Sequence, residues 1–248
     1  MANEQDIIYG RNSVMELLTS TSRTINKLLI IKGDSQGSIK KIISLAREKH
    51  IIISEVTKQK MDELAEGGNH QGVIALTTAY EYCEIDDILN VAKEKNEKPL
   101  VLILDGIEDP HNLGAIIRTA ECMGVHGIII PKRRAAMVNS TVMKVAAGAL
   151  EHMLISRVTN INDTIEELKE NGLWIIGTDA SGRDSIQNVD LTCPVAIVIG
   201  SEGEGMSNLT RKRCDVLTKI DMKGKITSLN ASVSAGMVIY EASRQRIK

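Results

Sequence analysis

Residues 100–124 read LVLILDGIEDPHNLGAIIRTAECMG. The opening run, Leu100–Leu104, is continuously apolar, as expected of a strand covered on both faces. Asp109 and Pro110 end the turn, and Asn112 is suited to cap the helix that follows. Gly114, in the first turn, lets another backbone come close. Arg118 then stands among Ala, Ile and Cys. It reads either as a helix-face arginine paired with Glu121 at i+3 or as a guanidinium that takes an anion such as an RNA phosphate beside the helix N-terminus.

The same alternation of strand and helix runs through the chain. KLLII (27–31), III (51–53), VIAL (73–76), GIII (127–130), LWII (173–176), VAIVI (195–199) and VLTKI (216–220) read as further strands. Ile39, Ile42, Ile43 and Ala46 fall at helical spacing, as do Ile85, Ile88, Leu89 and Ala92, and more briefly Ile161, Ile165 and Leu168. The pattern predicts an α/β protein with largely parallel sheets. Residues 79–97 are rich in charge and hold one short amphipathic stretch, so they read as a linker. It separates a small N-terminal α/β domain (1–78) from a larger C-terminal one (98–248).

At 248 residues, with 43% hydrophobic and 25% charged residues, the chain has ample material for such cores. The four cysteines stand far apart with no histidine at ligand spacing, so free thiols are expected, with neither a disulfide framework nor a metal site. The N-terminus MANEQDIIYG lacks the parts of a signal peptide, and no apolar run approaches the roughly 18 residues of a membrane span. A cytoplasmic protein with no membrane partner is the expectation. With no Phe, one Trp and four Tyr, the chain cannot build a sheet that stacks bases on aromatic rings. Net charge is −2, but basic clusters occur at Lys132, Arg133 and Arg134, at Arg211, Lys212 and Arg213, and at Arg244, Arg246 and Lys248. If the protein handles RNA, it does so through backbone, ribose and shape.

Two further stretches bear on chemistry. VAIVIGSEGEGMS (195–207) is a strand, a glycine-rich loop and a helix start, the place for a nucleotide in an α/β protein. Its glycines match neither the dinucleotide fingerprint nor a P-loop. Glu202 and Glu204 in the loop would repel a pyrophosphate, which disfavours a nicotinamide-dependent oxidoreductase. A purine-bearing cation without phosphate, S-adenosylmethionine (AdoMet), suits the loop better. KITSLNASVSAGMVIYEASRQR (225–246) has Ser228 or Asn230 to cap a final helix whose Ala231, Ser232, Ser234, Ala235 and Gly236 permit close approach.

In this order, the three stretches resemble the three motifs of the SpoU/TrmH family of RNA ribose 2′-O-methyltransferases in the SPOUT superfamily. The resemblance spans about residues 98–246. IIYGRNSVMELL (7–18) and GGNHQGVIAL (67–76) resemble, more weakly, the substrate-binding domain many such enzymes carry. The bacterial RlmB-type enzymes, which methylate a guanosine of 23S rRNA, are the nearest likeness. The resemblance implies a trefoil-knotted C-terminal domain and a homodimer with the last helix in its interface. It implies AdoMet held by Gly200, Ile220 and Leu229, with Thr178, Asp179 and Ala180 closing over it. Asn112, Arg118, Glu202, Ser228 and Asn230 match the family's functional positions, with Arg118 facing the ribose. Arg118 then serves as general base or, more in keeping with a guanidinium that is seldom neutral, as a contact to phosphate and developing alkoxide. Arg11, Asn12, His70 and Gln71 are the candidates for RNA contact in the N-terminal domain. The alternatives are a tRNA 2′-O-methyltransferase and a non-catalytic dimeric RNA-binding protein.

Overall fold

A computed structural model describes residues 5–20, 23–33, 37–203, 205–225 and 228–247. Glu204 of the glycine loop and Lys248 of the last basic cluster lie outside them. The chain forms two compact units: residues up to Glu81 together with Val138–His152, and Tyr82–Met137 together with Met153–Lys248.

The first unit begins with β1 (Gln5–Tyr9), α1 (Arg11–Thr19), β2 (Ile25–Ile31), α2 (Ser38–Glu48), β3 (Ile53–Val56), α3 (Lys58–Leu64) and β4 (Val73–Thr78). Its sheet has the order β1-β4-β2-β3, antiparallel except for β2 on β3. The α2 stripe delivers Ile39, Ile42 and Ala46 to the interior.

The second unit opens with α4 (Ile85–Glu94), β5 (Leu100–Asp105), α5 (Pro110–Cys122) and β6 (Gly127–Pro131). The chain then gives α6 (Ser140–Ala146) and a 3-10 turn (Ala149–Glu151) to the first unit. It returns as β7 (Ile155–Val158), α7 (Ile161–Glu170), β8 (Trp174–Thr178), β9 (Asp184–Ser185), β10 (Val195–Gly200), α8 (Asn208–Arg213), β11 (Val216–Lys219) and α9 (Ala231–Arg246). The sheet order is β7-β6-β5-β10-β8-β11-β9, with every pairing parallel.

The expected α/β class holds, and the continuous apolar strands have a direct cause. Val101, Ile103, Ala196 and Val198 pack on one face with α4 and α7. Leu102, Leu104, Ile197 and Ile199, which alternate with them, are equally buried. At about 25 cal/mol per Å² of apolar surface, two covered faces favour isoleucine, leucine and valine at every strand position.

Three features differ from the expected layout. The stretch 79–97 is more than a linker, because Ile85 and Ile88 of α4 enter the core of the second unit. That helix starts on a capping box in which the Asp87 side chain accepts from the Glu84 N–H (2.9 Å). Residues 138–152, expected within 98–248, group with the first unit. They are tied there by Arg23, whose guanidinium meets Asp6 (3.3 Å) and Glu151 (3.4 Å) and lies over the Tyr80 ring. Arg23 and Glu151 are 3% and 4% exposed, so each charge depends on the other. Third, β1, β7 and β9 had no counterpart among the expected strands.

Burial pushes the Cys83 thiol up to about 11 and the Cys214 thiol up to about 12, which keeps both protonated and inert near neutrality. Among the described residues, no helix is long and apolar enough to cross a membrane.

Candidate active site

A cleft of about 900 Å³ opens at the C-terminal ends of β8, β10 and β11, which are neighbours in the sheet. This is the end of a parallel α/β sheet where ligands bind. The loop after β8 contributes Thr178, Asp179 and Ala180, and that after β10 contributes Gly200 and Glu202. Ile220 follows β11, and Ser228 and Leu229 precede α9. The six residues expected around a cofactor therefore line one cavity.

Two glycines make the cleft possible. A Cβ on Gly200 would stand 2.3 Å from the Gly205 carbonyl carbon and 2.4 Å from the Met206 nitrogen. The loop after β10 folds back on its strand at that point, through reciprocal bonds between Ser201 and Gly205 (3.1 and 3.2 Å). A Cβ on Gly182 would stand 2.5 Å from the Thr218 backbone. The wall before Gly182 is fixed by Asp179, which accepts from Ser181 N–H (2.8 Å) and Oγ–H (2.5 Å) and pairs with Arg211 (2.7 Å). Thr178 Oγ1 donates to the Val198 carbonyl (3.0 Å).

Glu202, Asn112 and Asn230, far apart in sequence, converge at the rim. Glu202 Oε1 accepts from Asn112 Nδ2 (3.0 Å), from Asn230 Nδ2 and from the Ala231 N–H (3.0 Å). Asn230 Nδ2 also reaches Asn112 Oδ1 (3.0 Å). Asn230 caps α9, its Oδ1 accepting from Ser232 N–H (3.0 Å) and Val233 N–H (3.3 Å). One capping residue thus ties the final helix to α5 and to the glycine loop.

Asn112 is not the cap expected of it. Asp109 caps α5, accepting from the His111 N–H (2.9 Å), with Pro110 in the first turn. Asn112 lies inside the helix and is 8% exposed, which frees its amide for Glu202 and Asn230. Ser228 lines the cleft and does not cap α9.

Arg118 is exposed and lies outside the cleft lining. It comes six residues after Asn112, about 600° around the helix at about 100° per residue, and so presents another face. Among the described residues it has no hydrogen-bond or ion-pair partner, so of its two readings the pair with Glu121 does not form.

In the first unit, Arg11 and Gln71 meet: Arg11 N–H donates to Gln71 Oε1 and Arg11 Nε to the Gln71 carbonyl, both at 2.9 Å. Asn12 is exposed beside them. His70 does not belong on that surface. It is 6% exposed, its Nδ1 accepts from the Gly72 N–H (3.0 Å), and Nε2 therefore carries the proton given to Asp62 (3.0 Å). Both nitrogens serve the turn, a role a sequence position cannot distinguish from ligand contact.

Lining residues that the sequence reading did not place here include Arg211, Asp221 and Met222. Adjacency to Ile220 at the end of β11 was the available signal for the last two. Among the described lining residues the acids are Asp179, Glu202 and Asp221, and the bases Arg211 and Lys219. Since Asp179 and Arg211 neutralise each other, the remainder leans acidic. Such a cleft favours a cationic ligand over a di- or triphosphate. Its volume lies within the range of about 300–1,000 Å³ usual for small-molecule sites.

Comparison with known proteins gives the arrangement its context. Residues 99–240 match the SpoU rRNA Methylase family, and residues 7–83 match the RNA 2′-O ribose methyltransferase substrate-binding family. YacO, a TrmH family tRNA/rRNA methyltransferase of Bacillus subtilis, is 49% identical over 99% of this chain and 98% of its own length. A TrmH family tRNA/rRNA methyltransferase of Staphylococcus aureus is 48% identical, over 98% of this chain and 97% of its own. The crystal structure of the SpoU methyltransferase AviRb from Streptomyces viridochromogenes shares the fold at a TM-score of 0.82, with 27% identity over 98% of this chain and 90% of that one. AviRb in complex with the cofactor AdoMet aligns at 0.81 with 25% identity, over the same shares of the two chains. The expected resemblance is the one found: with a family match across more than half its length and a near-half-identical relative along almost all of it, the chain belongs to the SpoU rRNA methylase family.

Proposed function

We propose that the chain transfers a methyl group from AdoMet to a ribose 2′-hydroxyl of RNA, a guanosine of 23S rRNA. The observation that carries this is the cleft at the ends of β8, β10 and β11, acidic in balance and closed at its rim by Glu202, Asn112 and Asn230. The residues present fit AdoMet. The Gly200 turn admits no side chain, residues of three loops line the space, and among the described lining residues the one arginine, Arg211, is paired with Asp179. When bound, AdoMet supplies a methyl already activated by the sulfonium.

The protein's own task is then positioning. Glu202 holds the amides of Asn112 and Asn230 at the rim, where they orient the ribose. Ser228 and Leu229, which precede Asn230, line the same cleft. Arg118, unpaired and off the cleft, contacts a phosphate and stabilises the alkoxide as the 2′-oxygen loses its proton. It reaches the ribose in a homodimer packed on α9. Val233, Met237 and Tyr240, at i, i+4 and i+7, leave an apolar stripe there that is 48%, 48% and 58% exposed. Thr119, next to Arg118, lies against Gly236 of that helix.

By the same reading the C-terminal domain is trefoil-knotted, the protein works in the cytoplasm, and the N-terminal domain selects the target through Arg11, Asn12 and Gln71. The test is transfer from methyl-labelled AdoMet to unmodified 23S rRNA and, separately, to tRNA, with nucleosides identified after digestion. Label in 2′-O-methylguanosine from rRNA alone supports the reading. Label from tRNA alone replaces the target, and no label with AdoMet bound leaves a non-catalytic RNA-binding protein.

A further inference from the structure

A second groove, of about 480 Å³, opens beside the cleft, and Ser201, Gly205 and Arg211 line both. Part of its wall is the turn after β6, which carries Arg133 and Arg134. That turn is pinned on both sides. Lys132 N–H donates to the Val158 carbonyl (2.8 Å), and Ala136 N–H donates to the Ile107 carbonyl (2.8 Å). Between these anchors Arg134 holds φ at 55°, a region that residues other than glycine seldom occupy. A fixed turn therefore presents two adjacent guanidinia.

What those guanidinia lack is a partner. Arg211 pairs with Asp179, Arg213 with Glu166 and Arg244 with Glu241, and Arg246 donates to main-chain carbonyls. Arg133 and Arg134 are exposed and, among the described residues, make neither a hydrogen bond nor an ion pair. Among the described lining residues the acids are Glu108 and Asp105, and Asp105 is held by the Ser207 N–H (3.1 Å). Asn162, also in the lining, has a buried side-chain oxygen with no hydrogen-bond partner. Unpaired cations next to an unsatisfied acceptor match a sugar–phosphate chain, whose phosphates need the first and whose ribose hydroxyls supply the second.

We propose that this groove binds the backbone of the RNA strand adjoining the target nucleotide, with Arg133 and Arg134 on phosphate and Asn162 accepting from a ribose hydroxyl. The proposal rests on the RNA methyltransferase reading and adds a subsite to it. Among the described residues the groove has no aromatic lining, so the contact carries affinity and register without base identity.

The test is filter binding of unmodified 23S rRNA transcript to the full chain across about 50–200 mM salt. For Arg133→Gln combined with Arg134→Gln, the slope of log K against log salt becomes shallower by about 1.4, two contacts at about 0.7 each for single-stranded RNA. AdoMet affinity and the thermal midpoint stay at wild-type values. Arg133→Gln alone, which leaves the Arg134 backbone untouched, gives half the change. Lys212→Gln removes an exposed lysine of another cluster and leaves the slope as it was. An unchanged slope in the double variant, while wild type binds and methylates RNA, overturns the subsite and leaves the catalytic reading intact. An equal change in Lys212→Gln reduces the effect to bulk charge and also overturns it. Wild type that neither binds nor methylates RNA removes both.

Discussion

Replacing Glu202 with alanine deletes an acceptor on which three donors converge: the amides of Asn112 and Asn230 and the Ala231 N–H. Glu202 is solvent-exposed, so each bond is counted at the neutral, water-competed value of about 0.5–1 kcal/mol, for a total near 2 kcal/mol. In a chain of this length about 1 kcal/mol moves the midpoint by roughly 2–4 °C, which puts the expected loss at about 4–8 °C by scanning calorimetry. Glu202→Gln keeps an oxygen where the donors meet and loses less than half of that. Methyl transfer responds more steeply, because the two asparagine amides lose their common anchor. A displacement of about 1 Å at a reacting centre is worth on the order of 10²-fold, and Glu202→Ala falls by that much in single-turnover transfer. If Glu202→Ala melts within about 1 °C of wild type and matches Glu202→Gln in turnover, the three-way junction neither stabilises nor positions anything.

Other perturbations separate the remaining roles. Arg118→Lys loses turnover with AdoMet affinity kept, by calorimetric titration; loss of AdoMet binding instead makes Arg118 structural. Arg246 donates to the carbonyls of Leu191 (2.8 Å), Lys98 (2.6 Å), Pro99 (3.0 Å) and Cys193 (2.6 Å). Arg246→Ala therefore costs about 3 kcal/mol, roughly 6–12 °C, and a midpoint within 2 °C of wild type would falsify that clamp. Burial holds His126 below its ordinary value of 6.5, so the unfolded chain takes up its proton first as pH falls. Its contribution is complete above pH 6.5 and declines below it, by at most about 1.4 kcal/mol per pH unit. His126→Asn flattens urea-derived stability between about pH 6.5 and 5 relative to wild type; parallel curves for the two proteins rule His126 out as the source.

The parallel core was legible because burial on both faces leaves a simple mark. Leu100–Leu104 and Val195–Ile199 are unbroken apolar runs, and both are central strands. β7, Ile155–Val158, is an edge strand whose Ser156 and Arg157 break the apolar run, so nothing in its spacing separates it from a loop. The Ile51–Ile53 run misplaced its strand because pairing with Leu28 begins only at Ile53. At the site, the residue types were readable through resemblance, but the bonds joining them were not. Asn112 and Glu202 lie 90 positions apart, and no local pattern records that separation. Local logic even misassigned Asn112 as a cap, since Asp109 before a proline fills that role equally well and comes first. The membership of residues 138–152 left no compositional trace at either end.

That last segment bears on how the molecule is made. A chain emerging from a ribosome exposes Arg23, with its interior destination, long before Glu151 exists to receive it. The four strands of the first unit's sheet have all appeared by Thr78, but the segment that supplies α6 and Glu151 has not. The unit must wait while β5, α5 and β6 of the second are synthesised, and is completed only when Val138–His152 arrives. Maturation of the two units is therefore interleaved rather than successive, and a message truncated after Glu81 yields all four strands of the sheet without α6 and leaves Arg23 with Asp6 and the Tyr80 ring but without Glu151.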